Sequence, residues 1–109
     1  MIVTDQIALS LLLTGSTHYL VTDATAPGKE AAIYYATPGE AHMRLPSGVQ
    51  WRGSCGLTPT GYHVDWTGGP SAAWQIDAEP GHIVYRDAEG IERGALTRIV
   101  PGDAEGLAA

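Results

Sequence analysis

Three Trp and five Tyr supply all the aromatic volume of this 109-residue chain, because Phe is absent. Six of those rings are candidates for one shared site: Tyr35, Trp51, Tyr62, Trp66, Trp74 and Tyr85. An indole or phenol is a large apolar plate with one polar handle, which suits a pocket that encloses a flat apolar molecule and orients it. The same rings could instead fill the interior of a small fold with their own volume. A charge joins them at the end of the chain: Arg93, or Glu92 if the last hairpin turns one residue tighter.

Other reactive side chains give weaker patterns. The histidines are His18, His42, His63 and His82, with no Cys or carboxylate at the close spacing of a structural zinc site. Strand alternation puts His42 and His63 on an outer face and leaves His18 unresolved, so a haem axial ligand is conceivable only at His18. An outer patch of His42, Arg44, Arg52, His63 and Asp65 reads as a solvated face. Cys55, the single cysteine, is expected to face inward beside Val64 as a small apolar residue, with no disulfide. No Ser occupies a nucleophile elbow, and Gly68-Gly69 is followed by no helix that could cradle phosphate. The expected sets of catalytic residues, metals and cofactors are therefore empty.

These rings have to be positioned by strands. Turn signals recur about every ten residues, the spacing of a sandwich or barrel. They are Ala26-Pro27-Gly28, Pro38-Gly39, Pro46-Ser47-Gly48, Pro59-Thr60-Gly61, Gly68-Gly69-Pro70, Pro80-Gly81 and Glu89-Gly90. Pairing across Pro46-Ser47-Gly48 sets Met43 opposite Trp51 and His42 opposite Arg52. Reversal through Thr58 to Gly61 sets Gly53 opposite Trp66, Cys55 opposite Val64 and Leu57 opposite Tyr62. Reversal through Thr67 to Ser71 sets Trp66 opposite Ala72, Val64 opposite Trp74 and Tyr62 opposite Ile76. The next hairpin sets Ile76 opposite Ile83 and Trp74 opposite Tyr85. Every large apolar residue then shares one face, which a one-residue slip would destroy. In the final hairpin a Gly bulge at Asp87-Ala88-Glu89-Gly90 points Arg93 inward near Tyr85.

The expected fold is all-β: an antiparallel up-and-down meander barrel of about eight strands with a short N-terminal helix. The helix covers residues 5 to 13, capped by Thr4 or Asp5, with Ile7, Ala8, Leu11 and Leu12 as its apolar stripe and Gly15 at its end. So short a helix must dock, and an open barrel end is the place. Residues 1–102 form the single domain, and 103–109 read as a flexible tail after Pro101-Gly102.

Composition narrows the partners. With 12 acids against 6 bases the formal charge is -6, and no window clusters Lys or Arg. Binding to nucleic acid or to an anionic membrane surface therefore has no basic footprint to work with. The run Ile7 to Leu13 lacks a basic flank and a cleavage signature and is too short to span a bilayer. A cytoplasmic location is the simplest expectation, with a periplasmic one if a leader has been removed.

Leu13-Thr14-Gly15-Ser16-Thr17, Tyr34-Tyr35 before Pro38-Gly39, Gly53-Ser54-Cys55 and Gly61-Tyr62 form an ordered series. Together they resemble small bacterial calycin-like, or lipocalin-like, barrel proteins over nearly the whole chain. Cys55 departs from that pattern, which has Trp there, and the cysteine pair of secreted relatives is absent. The resemblance implies a barrel and suggests binding. The leading expectation is non-catalytic binding of a small hydrophobic or aromatic molecule by Tyr35, Trp51, Tyr62, Trp66, Trp74, Tyr85 and Arg93. The alternatives are a fully packed interaction module, including a homodimer, and an enzyme with its site at the barrel mouth.

Overall fold

The computed structural model describes residues 1–22 and 29–108. The turn signal Ala26-Pro27-Gly28 lies outside the described residues. A short helix, α1 (Gln6–Leu13), precedes eight strands. These are β1 (Ser16–Thr22), β2 (Ala31–Thr37), β3 (Glu40–Arg44), β4 (Gln50–Leu57), β5 (Tyr62–Trp66), β6 (Ser71–Glu79), β7 (His82–Arg86) and β8 (Glu92–Pro101). Each strand pairs antiparallel with the next, and β8 returns to β1, so the sheet closes on itself as an up-and-down barrel.

The β3–β4 and β4–β5 registers are those read from the sequence: Met43 opposite Trp51, Gly53 opposite Trp66, Cys55 opposite Val64, Leu57 opposite Tyr62. The next two hairpins differ by two residues. Tyr62 lies opposite Trp74 and Val64 opposite Ala72, because the chain reverses within Thr67 to Pro70: Trp66 N–H donates to Pro70 O at 3.1 Å, and Gly69 N–H to Trp66 O at 3.0 Å. Ile76 lies opposite Tyr85, because Pro80-Gly81 alone connects Glu79 to His82. Gly81 supplies the positive φ of 75° that so tight a turn needs. A slip of two preserves facing, so every ring keeps its expected side. In the last hairpin Tyr85 pairs with Gly94 and Arg86 with Glu92, which leaves Arg93 as the bulged residue.

At one end of the barrel β6 runs past β5, and its uncovered edge is taken by the chain's first residues. Val3 N–H donates to Ile76 O and Ala78 N–H to Met1 O, each at 2.8 Å. The helix then crosses that end, capped by the Asp5 carboxylate, which accepts from Ile7 N–H at 2.8 Å and Ala8 N–H at 3.3 Å. The face it buries is not the expected stripe. Leu9 and Leu13 enter the core, while Ile7 and Leu11 stay 74% and 77% exposed. Every helix residue except Gln6 and Ser10 is apolar, so no polar face tells inside from outside. The short connection through Gly15 settles it, by a 2.7 Å bond from Gly15 N–H to Tyr35 O.

The expected flexible tail is also replaced, over residues 103–108, by a packed segment. The Asp103 carboxylate accepts from Leu107 N–H at 2.8 Å and Ala108 N–H at 2.9 Å. Glu105 accepts from the Tyr19 hydroxyl at 2.5 Å and pairs with Arg44, and Leu107 is buried against Tyr19 and Ala32 on the outer wall. Acidic and small residues such as these signal a tail by composition. Here their carboxylates act instead as local caps and as partners for one wall of the barrel.

Candidate functional site

The barrel interior holds a cavity of about 310 Å³, open at the end opposite α1. All seven residues singled out from the sequence line it: Tyr35, Trp51, Tyr62, Trp66, Trp74, Tyr85 and Arg93. Leu20, Ala31, Ile33, Met43, Leu45 and Val64 supply most of the remaining wall, so the space is mainly apolar. Those aliphatic positions were legible as an inward face but not as a ligand surface.

Near the mouth, Trp51 and Trp66 lie with ring centroids 6.4 Å apart at 42°. Gly69 of the β5–β6 turn comes so close that a Cβ there would stand 3.3 Å from Trp51. Deeper, Trp74 tilts against Tyr85 at 6.5 Å. Arg93 sits at the rim, its Nε donating to Asp87 Oδ2 at 2.8 Å. The alternative candidate, Glu92, pairs in the ladder with Arg86 and does not line the cavity.

The floor is a cluster of phenols. Tyr35 meets Tyr62 edge to face at 6.0 Å, and Tyr62 meets Tyr85 at 6.4 Å. The Tyr35 and Tyr62 hydroxyl oxygens are 3.4 Å apart. Beneath them lies His18, fully buried, the one histidine whose facing the sequence left open. Its Nε2 is 2.7 Å from Leu12 O and its Nδ1 is 2.5 Å from the Tyr85 hydroxyl. A carbonyl can only accept, so Nε2 carries the proton, and Nδ1 accepts from the Tyr85 O–H. Burial lowers the His18 pKa from 6.5 to about 4, against a smaller opposing effect of the Leu12 bond. Burial also pushes Tyr35 up to about 12, and Tyr62 and Tyr85 well above their ordinary value. The floor is therefore uncharged at neutral pH.

With both ring nitrogens engaged by Leu12 and Tyr85, His18 presents no free lone pair to a haem iron. Among the described residues the cavity wall holds no carboxylate, and Arg93 is its charged group. A second void, of about 20 Å³, lies under α1 between Leu13, Cys55 and the Tyr35 and Tyr62 rings, with room for about one water. Cys55 borders this void, half-buried, with its thiol pKa raised by burial. The expected outer groups are outside: His42 stacks on Tyr34 at 6.4 Å, and His63 Nδ1 lies 3.2 Å from Asp65. His42 is nonetheless buried, which alternation alone does not indicate.

Fold and site together define a closed antiparallel barrel with an apolar interior chamber and a hydroxylated floor. Comparison with protein-family models, with curated proteins and with solved structures gives no match. No helix among the described residues is long and apolar enough to cross a membrane.

Proposed function

We propose that the barrel binds a small, flat hydrophobic or aromatic molecule in its interior and does not transform it. The observation that carries this reading is the cavity itself: about 310 Å³, walled by three indoles, three phenols and aliphatic side chains from all around the barrel. Ligand pockets begin at roughly 300 Å³, and an apolar cavity of about 150 Å³ suffices for benzene. A barrel meant only to fill itself would close such a space, since packed interiors contain few voids larger than a water. The calycin-like resemblance of the sequence points the same way.

The test is titration with 2-methylnaphthalene, followed by Trp fluorescence and by native mass spectrometry. Binding should alter the emission of Trp51, Trp66 and Trp74 and give a one-to-one complex. Val64→Phe places a ring in the cavity from a wall position. It should reduce affinity at least tenfold while leaving stability within about 1 kcal/mol of the parent, since the added carbons enter empty space. No fluorescence change and no complex with any flat apolar probe would overturn the proposal.

A further inference from the structure

Tyr85 hands its phenolic proton to a nitrogen base, and among the described residues no other tyrosine does. It is buried at the chamber floor, and its O–H donates to His18 Nδ1 at 2.5 Å. His18 gives its Nε2 proton to Leu12 O at 2.7 Å, which holds Nδ1 as the acceptor. This bond bears on electron loss as well as on packing. A buried phenol that loses an electron and keeps its proton is a cation in an apolar interior, at a large cost. A base already in its hydrogen bond takes that charge off the ring.

The other four phenols lack this combination. Within the described residues the Tyr35 and Tyr62 hydroxyls bond to other phenols. Tyr34 stacks on His42 at 6.4 Å, and among the described residues no base accepts from its hydroxyl. Tyr19 donates to Glu105 at 2.5 Å, but the Arg98 guanidinium lies 3.9 Å over its ring and opposes electron loss there. Tyr85 also has a route to the outside. Trp74 lines the chamber, is only half-buried, and lies against Tyr85 with ring centroids 6.5 Å apart.

We propose that Tyr85 and His18 form a proton-coupled one-electron donor, an activity beyond binding that needs no occupant. An outer-sphere one-electron oxidant of the metal–polypyridine or aryl-radical class takes an electron from Trp74. Tyr85 fills the Trp74 hole with one electron. Its O–H bond breaks, and the proton forms an N–H bond at His18 Nδ1. The products are the reduced oxidant, neutral Trp74, a neutral Tyr85 radical, and an imidazolium whose Nε2–H stays on Leu12 O.

The test is laser flash-quench oxidation of the full chain at neutral pH by tris(bipyridine)ruthenium(III), read by transient absorption and freeze-trapped EPR. A Trp radical should form first and give way to a tyrosyl radical. After equilibration in D2O that step should be slower than in H2O, because a proton moves with the electron. Tyr85→Phe should keep the Trp radical and lose the tyrosyl signal, while Tyr19→Phe behaves as the parent. His18→Phe should slow the Trp-to-Tyr step about a hundredfold, the scale of losing a positioned base. Should either floor variant not fold, the isotope effect on the parent decides. No tyrosyl radical in the parent, an undiminished tyrosyl signal in Tyr85→Phe, or equal rates in H2O and D2O would each overturn the proposal. The binding role is untouched by these outcomes, since titration with 2-methylnaphthalene tests it separately.

Discussion

His18 ties the helix to the cavity floor, and its burial makes stability depend on pH in a calculable way. In the unfolded chain its pKa is the ordinary 6.5, and in the barrel it is about 4. Above pH 6.5 the ring is neutral in both states and pH has no effect through it. Below pH 6.5 the unfolded chain takes up a proton that the folded chain refuses, so stability falls as the pH falls. The loss ends near pH 4, where the folded ring also protonates. At about 1.4 kcal/mol per pH unit, the loss from this residue reaches about 2 kcal/mol at pH 5 and about 3 kcal/mol in total.

The assay is urea unfolding followed by Trp fluorescence at pH 7.5, 6.5, 5.5 and 5.0, for the parent and for His18→Phe. The variant should be less stable at pH 7.5, since Leu12 O and the Tyr85 hydroxyl lose their partner. Its decline with falling pH should be shallower than the parent's by about 2 kcal/mol over the range. Glu105, held below its ordinary 4.5 by the Tyr19 hydroxyl and Arg44, stabilises above that pH and loses its effect as pH falls through its lower folded value. Asp77 and Asp87, lowered from 3.8, behave likewise, so all three lie largely outside the window. Parallel decline of parent and variant would refute a neutral, buried His18.

Two further substitutions probe the frame around the site. A Cβ on Gly61 would fall 2.0 Å from Trp74 O, so Gly61→Ala should cost about 2–3 kcal/mol in urea unfolding, whereas Gly39→Ala, with nothing nearer than 4.0 Å, should change it by less than about 0.5. Equal stabilities would mean that β5 and β6 do not approach as described. Leu107→Ser should cost about 1–3 kcal/mol and speed proteolysis and amide exchange at Ala104 and Leu107, and unchanged digestion would show that residues 103–108 are not held by the outer wall.

What could be read in advance follows from how each feature is encoded. Strand facing is a parity, and parity survives a miscounted turn. The rings of β5, β6 and β7 therefore converge although two hairpins pair two residues away from the register the sequence suggests, in opposite directions. Arg93 was placed by turn chemistry, since Gly90 at a φ of 81° closes the expected turn and the bulge follows at Arg93. Helix facing was illegible for the opposite reason: Leu9 and Leu11 are chemically identical, and only tertiary contact distinguishes them. His18 was ambiguous because Thr17, Tyr19 and Leu20 beside it are all buried as well, so β1 shows no polar-apolar alternation to read. The docked segment after Pro101 depends on partners far away in sequence, Tyr19 and Arg44, which local composition does not reveal.

The seam between β8 and β1 has a consequence for how the chain behaves among copies of itself. It is zipped along the full length of β1, from Ser16 against Pro101 to Thr22 against Gly94. An unpaired strand margin is the template on which a neighbouring chain adds and fibrils grow, and among the described residues closure gives every strand a paired neighbour on both sides. Opening this one zipper would create two such margins at once, so slow aggregation on storage should report transient parting of β1 from β8.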